Sequence, residues 1–370
     1  MTNLLDEIEE ILLMGPGPSC VHPKVYEALS DFTLGHLDPH FIKIMDQIQA
    51  LLQKIMNTNN RLTIPISGTG SAGMETCFVN LIESKDKVLI LQNGVFGKRM
   101  IEVATRLGAN VDFLEFEWGT PVISEIVKEK LVDNSYDLIA MVHAETSTGV
   151  KNPVEEISDI IKNTNSLFLV DTVTSLGGIE VKVDSWGIDA LYSGSQKCLS
   201  VPPGLAPVSF SDKAWSKIKN RKKPVPNWYL DMSLIGEYWQ KDHKRAYHHT
   251  APINMLYALY QSLLLFFEEG ATNVFQRHLE CHKMLKEGLE ELGLQMYVEE
   301  KYRLPMLNAV TIPEGVDEAE IRKKLRFEHN IEIGAGLGPL AGKIWRIGLM
   351  GYTAQTKNVE KLLKALKKVL

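Results

Sequence analysis

The chain of 370 residues is longer than one compact core usually requires, which predicts two domains. Hydrophobic residues make up 45% and charged residues 23%, and the formal net charge is −6, so the composition is typical of a soluble globular protein and argues against a nucleic-acid partner. The four scattered cysteines form no Cys-x-x-Cys pair, which argues against a disulfide framework and a zinc site.

The apolar runs and the amino-terminal segment indicate where the protein acts. No uninterrupted apolar run reaches the length that crosses a membrane. The first residues are acidic, unlike a signal or transit peptide. Scattered free cysteines suit a reducing compartment. We therefore expect a cytoplasmic protein without a membrane partner.

Helix and strand patterns alternate through the first two thirds of the chain. A helical pattern spans 41–56, where apolar residues recur three and four positions apart. Gly108 marks the end of a later helix. Several apolar strand patterns end in polar residues. The segments that contain a strand pattern are 62–82, 87–91, 101–116, 137–149, 166–178, 190–196 and 205–211.

This alternation of apolar strands and helices predicts an α/β fold with a mostly parallel sheet between helices. In such sheets a ligand binds at the carboxyl ends of the strands, where these polar residues fall. From about Thr250 the character changes to long helices and short strands. Helical patterns lie at 252–270, 273–293, 318–330 and 356–370, with strands around 307–313 and 343–349. We expect an N-terminal arm (1–15), a large domain (16–268) and a smaller C-terminal α+β domain (269–370).

Lys197 lies in "LYSGSQKCLSVPPG", among small residues, glycines and prolines. An ammonium in a crowded, weakly polar site has its charged form disfavoured and becomes a nucleophile more easily, which suggests Schiff-base chemistry. An ordinary loop lysine fits the same residues. Asp171 ends an apolar strand, where it can cap a helix, pair with an arginine or pair with a protonated ring nitrogen.

Two further features complete a pattern that pyridoxal phosphate requires. The segment "SGTGSAGMET" (67–76) offers backbone amides at a helix start, a good cradle for phosphate, although a plain glycine-rich turn fits equally. Phe96 can supply a stacking face or simply a core aromatic ring. His248 and His249 are adjacent in an extended segment and point to opposite faces, so we expect no metal site.

The chain resembles the alanine–glyoxylate / serine–pyruvate aminotransferases, in the class V branch of the fold-type-I pyridoxal-phosphate enzymes. The resemblance covers nearly the whole chain and includes a seven-stranded type of large-domain sheet. It rests on motifs in family order: "LLMGPGPS", "GHLDP", "ISGTGSAGMET", "NGVFGKR", "HAETSTGV", "VDTVTSLGG", "YSGSQKCL", "PPGLAPVSFS", "YHHTAPI" and "RIGLMG".

The resemblance implies roles for individual residues. Lys197 would bind the cofactor covalently, and Asp171 would hold its ring nitrogen protonated. Arg346 would bind the substrate carboxylate, and Gly17 would line the substrate entrance. The residues implied in other cofactor contacts are Thr69, Gly70, Ser71 and Gln196 at the phosphate, Phe96 and Val173 at the ring, Thr146 at the phenolic oxygen and substrate, and Tyr247 and Thr250 at the phosphate of the neighbouring subunit.

The chain departs from the family at two of these positions. Phe96 stands where many relatives carry tryptophan, and Ser71 stands where some carry histidine. The first change affects ring stacking, and the second affects cofactor affinity.

The expected activity is a ping-pong transamination by a homodimer that uses pyridoxal 5′-phosphate. With one placed arginine, the substrates expected are small: alanine or serine as donor, and glyoxylate or pyruvate as acceptor. A ureidoglycine–glyoxylate aminotransferase is the first alternative, although its relatives tend to carry glutamine in the segment that holds His36. A cysteine desulfurase needs a mobile cysteine, whereas Cys281 lies in a helical pattern. A non-catalytic cofactor-binding subunit would not need Lys197, Asp171 and Arg346 together.

Overall fold

The computed structural model describes residues 3–241 and 244–370, so the first two residues of the predicted N-terminal arm lie outside the described residues. The helices are α1 (Pro23–Leu29), α2 (Pro39–Ile55), α3 (Gly70–Leu81), α4 (Val95–Arg106), α5 (Ser124–Val132), α6 (Val154–Ile161), α7 (Asp212–Lys219), α8 (Met232–Trp239), α9 (Ile253–Glu269), α10 (Ala271–Glu291), α11 (Glu318–His329) and α12 (Thr356–Val369). The strands are β1 (Leu12–Leu13), β2 (Leu62–Ser67), β3 (Lys87–Gln92), β4 (Asn110–Glu115), β5 (Leu138–Val142), β6 (Ala144–Glu145), β7 (Val150–Lys151), β8 (Leu167–Asp171), β9 (Ala190–Tyr192), β10 (Leu205–Phe210), β11 (Gln295–Met296), β12 (Leu307–Thr311), β13 (Ile331–Glu332), β14 (Gly334–Ala335) and β15 (Ile344–Gly348).

The largest sheet has seven strands in the order β2-β10-β9-β8-β5-β3-β4. Neighbouring strands run parallel except at β10, which is antiparallel to both β2 and β9. Strands β5 and β8 are buried along their whole length, as expected where helices cover both faces of a sheet. The predicted α/β fold with a mostly parallel sheet is confirmed.

Helix α3 packs closely onto this sheet through a glycine. A Cβ at Gly73 would lie 2.9 Å from the Cβ of Ala206 in β10 and 3.3 Å from the Cβ of Tyr192 in β9. Glycine at this position lets the helix backbone approach the strands. The start of α3 is thereby held at the edge of the sheet.

A second sheet of four strands follows late in the chain, in the order β11-β12-β15-β14, and all its pairs are antiparallel. Helices α10, α11 and α12 contribute buried side chains to a separate hydrophobic core that includes Trp345. Near the amino terminus, β1 pairs in parallel with β13, and Met14 is fully buried in this second core. The domain limits at 15/16 and 268/269 stay a prediction.

One strand is shorter than its pattern predicts. The apolar pattern at 190–196 predicts a strand throughout, but β9 ends at Tyr192. Beyond it, the amides of Ser193 and Ser195 donate to the carbonyls of Pro207 and Leu205, while the chain turns. The following residues therefore leave the sheet and form the loop that carries Lys197.

Throughout 3–241 and 244–370, no helix is both long and apolar enough to span a bilayer.

Candidate active site

Several polar side chains meet at one edge of the seven-stranded sheet, where the parallel strands end. Strand β8 ends at Asp171, and β9 leads into the turn that carries Lys197. Strand β2 runs into the glycine-rich turn before α3, and β5 leads to β6 and then to Thr146. The topology brings these segments to the same edge from separate parts of the chain.

Lys197 lies in a turn that is tightly fixed by hydrogen bonds. The side-chain Nζ of Lys197 donates to the carbonyl of Pro16. The backbone carbonyl of Lys197 accepts from the Ser19 hydroxyl (2.7 Å) and the Ser200 amide (3.0 Å). Burial and, to a smaller extent, the positive charge of Arg346 together lower the pKa of Lys197 to about 8. Near neutral pH, part of this amine is therefore unprotonated and able to act as a nucleophile or a base.

Gly17 lies directly against this lysine. Its φ of +110° lies in the region that favours glycine. A Cβ at Gly17 would lie 2.7 Å from Lys197 Nζ, so a side chain there would displace the amine. The structure thus brings the two predicted residues together.

Asp171 is a buried carboxylate with one firm hydrogen bond. Its exposed fraction is 4%, and Oδ1 accepts from the amide of Val173 at 2.7 Å. Burial raises the pKa of Asp171 to about 6, while the Val173 amide and the charges of Lys197 and Arg99 oppose the rise. A cation placed against this carboxyl would favour its ionised form, which is the partner that a protonated pyridine nitrogen requires.

The start of α3 forms an open anion cradle. Its N-cap, Thr69, makes no side-chain capping bond, and Thr69 and Ser71 are both exposed. The free amides of a helix start attract a phosphate. Beside them, Gln196 carries a side-chain oxygen that is buried without a hydrogen-bond partner among the described residues. This orphaned polar atom and the free helix start fit the phosphate end of pyridoxal phosphate.

Gly70 and Val173 line the cradle on its inner side. A Cβ at Gly70 would lie 3.4 Å from Val173 Cγ2 and 3.6 Å from Gly194 Cα. Val173 is half-buried and also lies next to Gly194. The phosphate cradle, Val173 and Asp171 are therefore contiguous.

Phe96 lies in the first turn of α4 and is half-buried against the main core. The guanidinium of Arg99 lies 5.2 Å from the centre of its ring. Arg99 also stabilises the charged form of Asp171, which puts the first turn of α4 within electrostatic reach of that carboxylate.

Arg346 comes from β15 in the second sheet and reaches the backbone just after β6. It is 7% exposed, and its Nε donates to the Ala335 carbonyl at 2.7 Å. Its Nη1 donates to the Thr146 carbonyl at 3.2 Å. Burial lowers the pKa of Arg346 to about 10. Within 3–241 and 244–370 this guanidinium makes no ion pair with an acid, so its charge is free to receive a carboxylate.

Tyr247 and Thr250 lie on the surface. Their hydroxyls are 3.4 Å apart, and Tyr247 is 60% exposed. Between them, His249 hydrogen-bonds Ser67 at 2.7 Å, which fixes the segment beside the loop that precedes α3. Among the described residues, neither of them is hydrogen-bonded to Lys197.

Glu145 is a site residue that the sequence patterns did not single out. It is fully buried, and burial raises its pKa to about 7. Its charge raises the pKa of Arg346, so the two groups are electrostatically coupled. The available signal was the same as for Asp171, namely an acid directly after an apolar strand in "AMVHAETSTG".

A partly neutral lysine near an acid suited to a ring nitrogen is the chemistry of transamination, and the fold around it is that of the pyridoxal-phosphate-dependent aminotransferases. The chain belongs to the class-V aminotransferase family, whose model matches residues 11–362. Its cofactor is pyridoxal phosphate. The predicted transaminase activity is thus confirmed at the level of the family.

Named relatives cover nearly the whole chain. An alanine–glyoxylate aminotransferase of Rattus norvegicus is 40% identical and covers 98% of this chain and 88% of its own. An (S)-ureidoglycine–glyoxylate transaminase of Bacillus subtilis is 39% identical over 97% of this chain and 90% of its own. The crystal structure of an alanine–glyoxylate aminotransferase from Nostoc sp. matches with a TM-score of 0.95 and 45% identity, covering 100% of this chain and 99% of that one.

Proposed function

We propose that the protein transfers an amino group from a small amino acid, alanine or serine, to glyoxylate or pyruvate. The observation that carries this proposal is Arg346, a buried guanidinium without an acidic partner in the described part of the chain. Its planar fork suits one carboxylate by two parallel hydrogen bonds. A substrate with a single carboxylate satisfies this guanidinium.

The residues at the sheet edge would hold the cofactor. When bound, pyridoxal phosphate supplies an electron sink for the substrate's α-carbon. Lys197 would bind its aldehyde, and Asp171 would keep its ring nitrogen protonated. The remaining contacts would be Thr69, Gly70, Ser71 and Gln196 at the phosphate, Phe96 and Val173 at the ring, and Thr146 at the phenolic oxygen.

Lys197 would also move the proton of the reaction. With its amine free and neutral, Lys197 would remove the proton from the substrate Cα as a general base. The fixed turn around Lys197 keeps the amine near that carbon, which gives it the high effective concentration of an intramolecular base. The lowered pKa keeps a usable neutral fraction at physiological pH.

Ureidoglycine with glyoxylate is the second candidate pair. It is favoured by the Bacillus subtilis relative of that name at 39% identity. Glyoxylate is common to the names of both relatives, so the acceptor is the better supported half of the proposal. His36 lies against Tyr247, with ring centres 5.0 Å apart, in the segment where the family resemblance implies a glutamine for the ureidoglycine group.

The proposed assembly is a homodimer in the cytoplasm. The dimer is supported by a set of large side chains that are exposed in the single chain, including Phe32 (95%), Trp228 (62%) and Tyr247 (60%). Exposed apolar side chains of this size commonly mark protein interfaces. In such a dimer, Tyr247 and Thr250 would contact the phosphate of the other subunit.

A substrate panel combined with Arg346→Lys tests the proposed activity. We expect alanine or serine with glyoxylate or pyruvate to give the highest kcat/KM. Arg346→Lys keeps the charge but loses the bidentate fork, which removes roughly 1.5–3 kcal/mol and lowers kcat/KM about ten- to a hundredfold for donors and acceptors alike. Cofactor binding should change little. Ureidoglycine as the best donor would select the second candidate, and glutamate with 2-oxoglutarate as the best pair would refute both.

A further inference from the structure

Glu145 is a buried carboxyl group to which the transamination chemistry assigns no task. It is the last residue of β6 and is fully buried. Its Oε1 accepts hydrogen bonds from the amide (3.1 Å) and the hydroxyl (2.6 Å) of Ser147. Its Oε2 is buried without a hydrogen-bond partner of acceptable geometry among the described residues. The Gly97 amide in the first turn of α4 lowers the pKa of Glu145 but forms no hydrogen bond of good geometry to Oε2, and a buried carboxyl oxygen so weakly satisfied is costly.

Glu145 lies between the start of α4 and the arginine of the second sheet. A Cβ at Gly94, the N-cap of α4, would overlap the Glu145 carboxyl group. The Ser147 hydroxyl that donates to Glu145 accepts from the Val95 amide at 3.0 Å. The next residue along the chain, Thr146, accepts from Arg346. The carboxyl group is therefore packed against the start of α4, and the next residue in the chain is hydrogen-bonded to Arg346.

The charged and titratable groups around Glu145 come from three strands. They are Asp171 from β8, Tyr192 from β9 and Arg346 from β15. Burial is the main cause that raises the pKa of Glu145 to about 7, and the charge of Asp171 acts in the same direction. The Ser147 donors and an amide in the first turn of α4 oppose it. Both protonation states of Glu145 are thus populated near neutral pH.

We propose that Glu145 is a positioning residue that takes up a proton when a substrate carboxylate binds Arg346. The inference rests on the proposed carboxylate-binding role of Arg346. A bound carboxylate neutralises the nearby positive charge and adds a like charge, so the ionised form of Glu145 becomes less favourable. The proton comes from solvent, stays on Glu145 while the carboxylate is bound and returns to solvent on release. By linkage, carboxylates bind more tightly to the form in which Glu145 is protonated.

The sign of the pH dependence follows from this coupling. Below a pH of about 7, Glu145 is already protonated in the free enzyme, and carboxylate affinity does not depend on its titration. Above that pH, binding must be accompanied by proton uptake, so affinity falls as pH rises. A shift of one pKa unit on binding limits the loss to about tenfold.

The test measures binding of glycolate, an unreactive two-carbon carboxylate, to the cofactor-loaded enzyme between pH 6 and 9. Calorimetry in two buffers of different ionisation enthalpy gives both the Kd and the number of protons taken up. We expect the wild-type Kd to rise about three- to tenfold from pH 6 to 8.5. Glu145→Gln preserves an acceptor for Ser147 but cannot titrate, so this part of the pH dependence should vanish. Glu155→Gln, the same change at an exposed position of α6, should behave like the wild type.

Two further variants make every outcome decisive. The protonation of the cofactor itself is followed by its visible absorbance and subtracted for each variant. Ser147→Ala removes a donor that lowers the pKa of Glu145, so the midpoint should move to higher pH. If Glu145→Gln fails to fold, an unchanged midpoint in Ser147→Ala overturns the inference. Glycolate binding that is insensitive to Arg346→Lys refutes the proposed function's carboxylate site. Binding that depends on Arg346 but keeps its full pH dependence in Glu145→Gln refutes the role of Glu145 alone.

Discussion

The reactivity of Lys197 is set by its surroundings rather than by its own structure. A solvated lysine has a pKa near 10.4 and is almost wholly protonated at neutral pH. Burial beneath Gly17 and the nearby charge of Arg346 remove much of this preference for the cation. Hydrogen bonds from Ser19 and Ser200 to its backbone keep the side chain at one place. The same contacts that hold the amine therefore activate it.

Replacing Lys197 with alanine separates cofactor binding from chemistry. The variant should retain pyridoxal phosphate through the phosphate and ring contacts, yet lose transamination by several orders of magnitude because nucleophile and base are lost together. Borohydride reduction followed by peptide mapping should place the cofactor on Lys197 in the wild type and nowhere in the variant. Lys182→Ala, at an exposed lysine, serves as the control. A label on another lysine would contradict the assignment.

Capture of pyridoxal phosphate by the apoprotein should follow the titration of Lys197. Only the neutral amine attacks the aldehyde, so the rate should rise about tenfold per pH unit below 8 and level off above about 8.5. Stopped-flow absorbance measures this rate, and N-acetyl-lysine in the same buffers corrects for titration of the cofactor. A rate that keeps rising beyond pH 10 would show an ordinary, solvated lysine.

The sequence patterns predicted Lys197 as a site residue but not Glu145, whose charge acts on Arg346. Lys197 is conspicuous because small residues and prolines surround it in the chain. Glu145 has similar local surroundings, but its raised pKa depends on burial and on Asp171, which lies 26 residues away in the sequence. Its contact with Gly94 depends on a separate strand-to-helix turn. Such groupings follow from the order of the strands, and a linear pattern does not contain that order.

At the scale of elements, the phosphate cradle depends on how closely α3 approaches the sheet. Gly73 allows that approach, since a Cβ at this position would press on Ala206 and Tyr192 of two neighbouring strands. The helix start at Thr69 and Gly70 lies one turn earlier in the same element. Any outward shift of the helix therefore moves the amides of the cradle as well.

We expect Gly73→Ala to weaken both folding and cofactor binding. The added methyl group would lie 2.9 Å from Ala206 Cβ, and overpacking of this kind typically costs about 1–3 kcal/mol. The measurements are thermal unfolding of the apoprotein and the Kd of pyridoxal phosphate. Glu75→Ala, at an exposed position of the same helix, should change neither quantity appreciably. A lower Tm with an unchanged Kd would mean that the start of α3 does not hold the phosphate.

Local patterns predict most of the long elements but not all of their ends or partners. The helical pattern at 318–330 corresponds to α11 and that at 356–370 to α12, because amphipathic periodicity is a property of neighbouring residues. The end of β9 at Tyr192 and the pairing of β1 with β13 do not follow from such local periodicity. Both depend on chain segments far away in sequence, so periodicity cannot supply them.

At the scale of the whole molecule, the exposed aromatic surface is the feature that one chain leaves unexplained. Phe32, Trp228 and Tyr247 are large and well exposed. Tyr247 belongs to a segment that His249 fixes beside Ser67, just ahead of the phosphate cradle. A two-fold dimer would bury such a surface and bring this segment of each subunit to the other subunit's site.

Mixing two inactive variants tests this composite site. In a dimer of Lys197→Ala with Tyr247→Phe/Thr250→Ala, one of the two sites combines an intact lysine with an intact Tyr247 and Thr250 from the other chain. Random pairing makes half of the dimers mixed, so about one quarter of all sites, and of wild-type activity, should return at a cofactor concentration that leaves the double variant alone largely apo. If Tyr247 and Thr250 serve their own chain, neither site is repaired and no activity returns. Sedimentation that finds an active monomer at the assay concentration would also contradict the dimer.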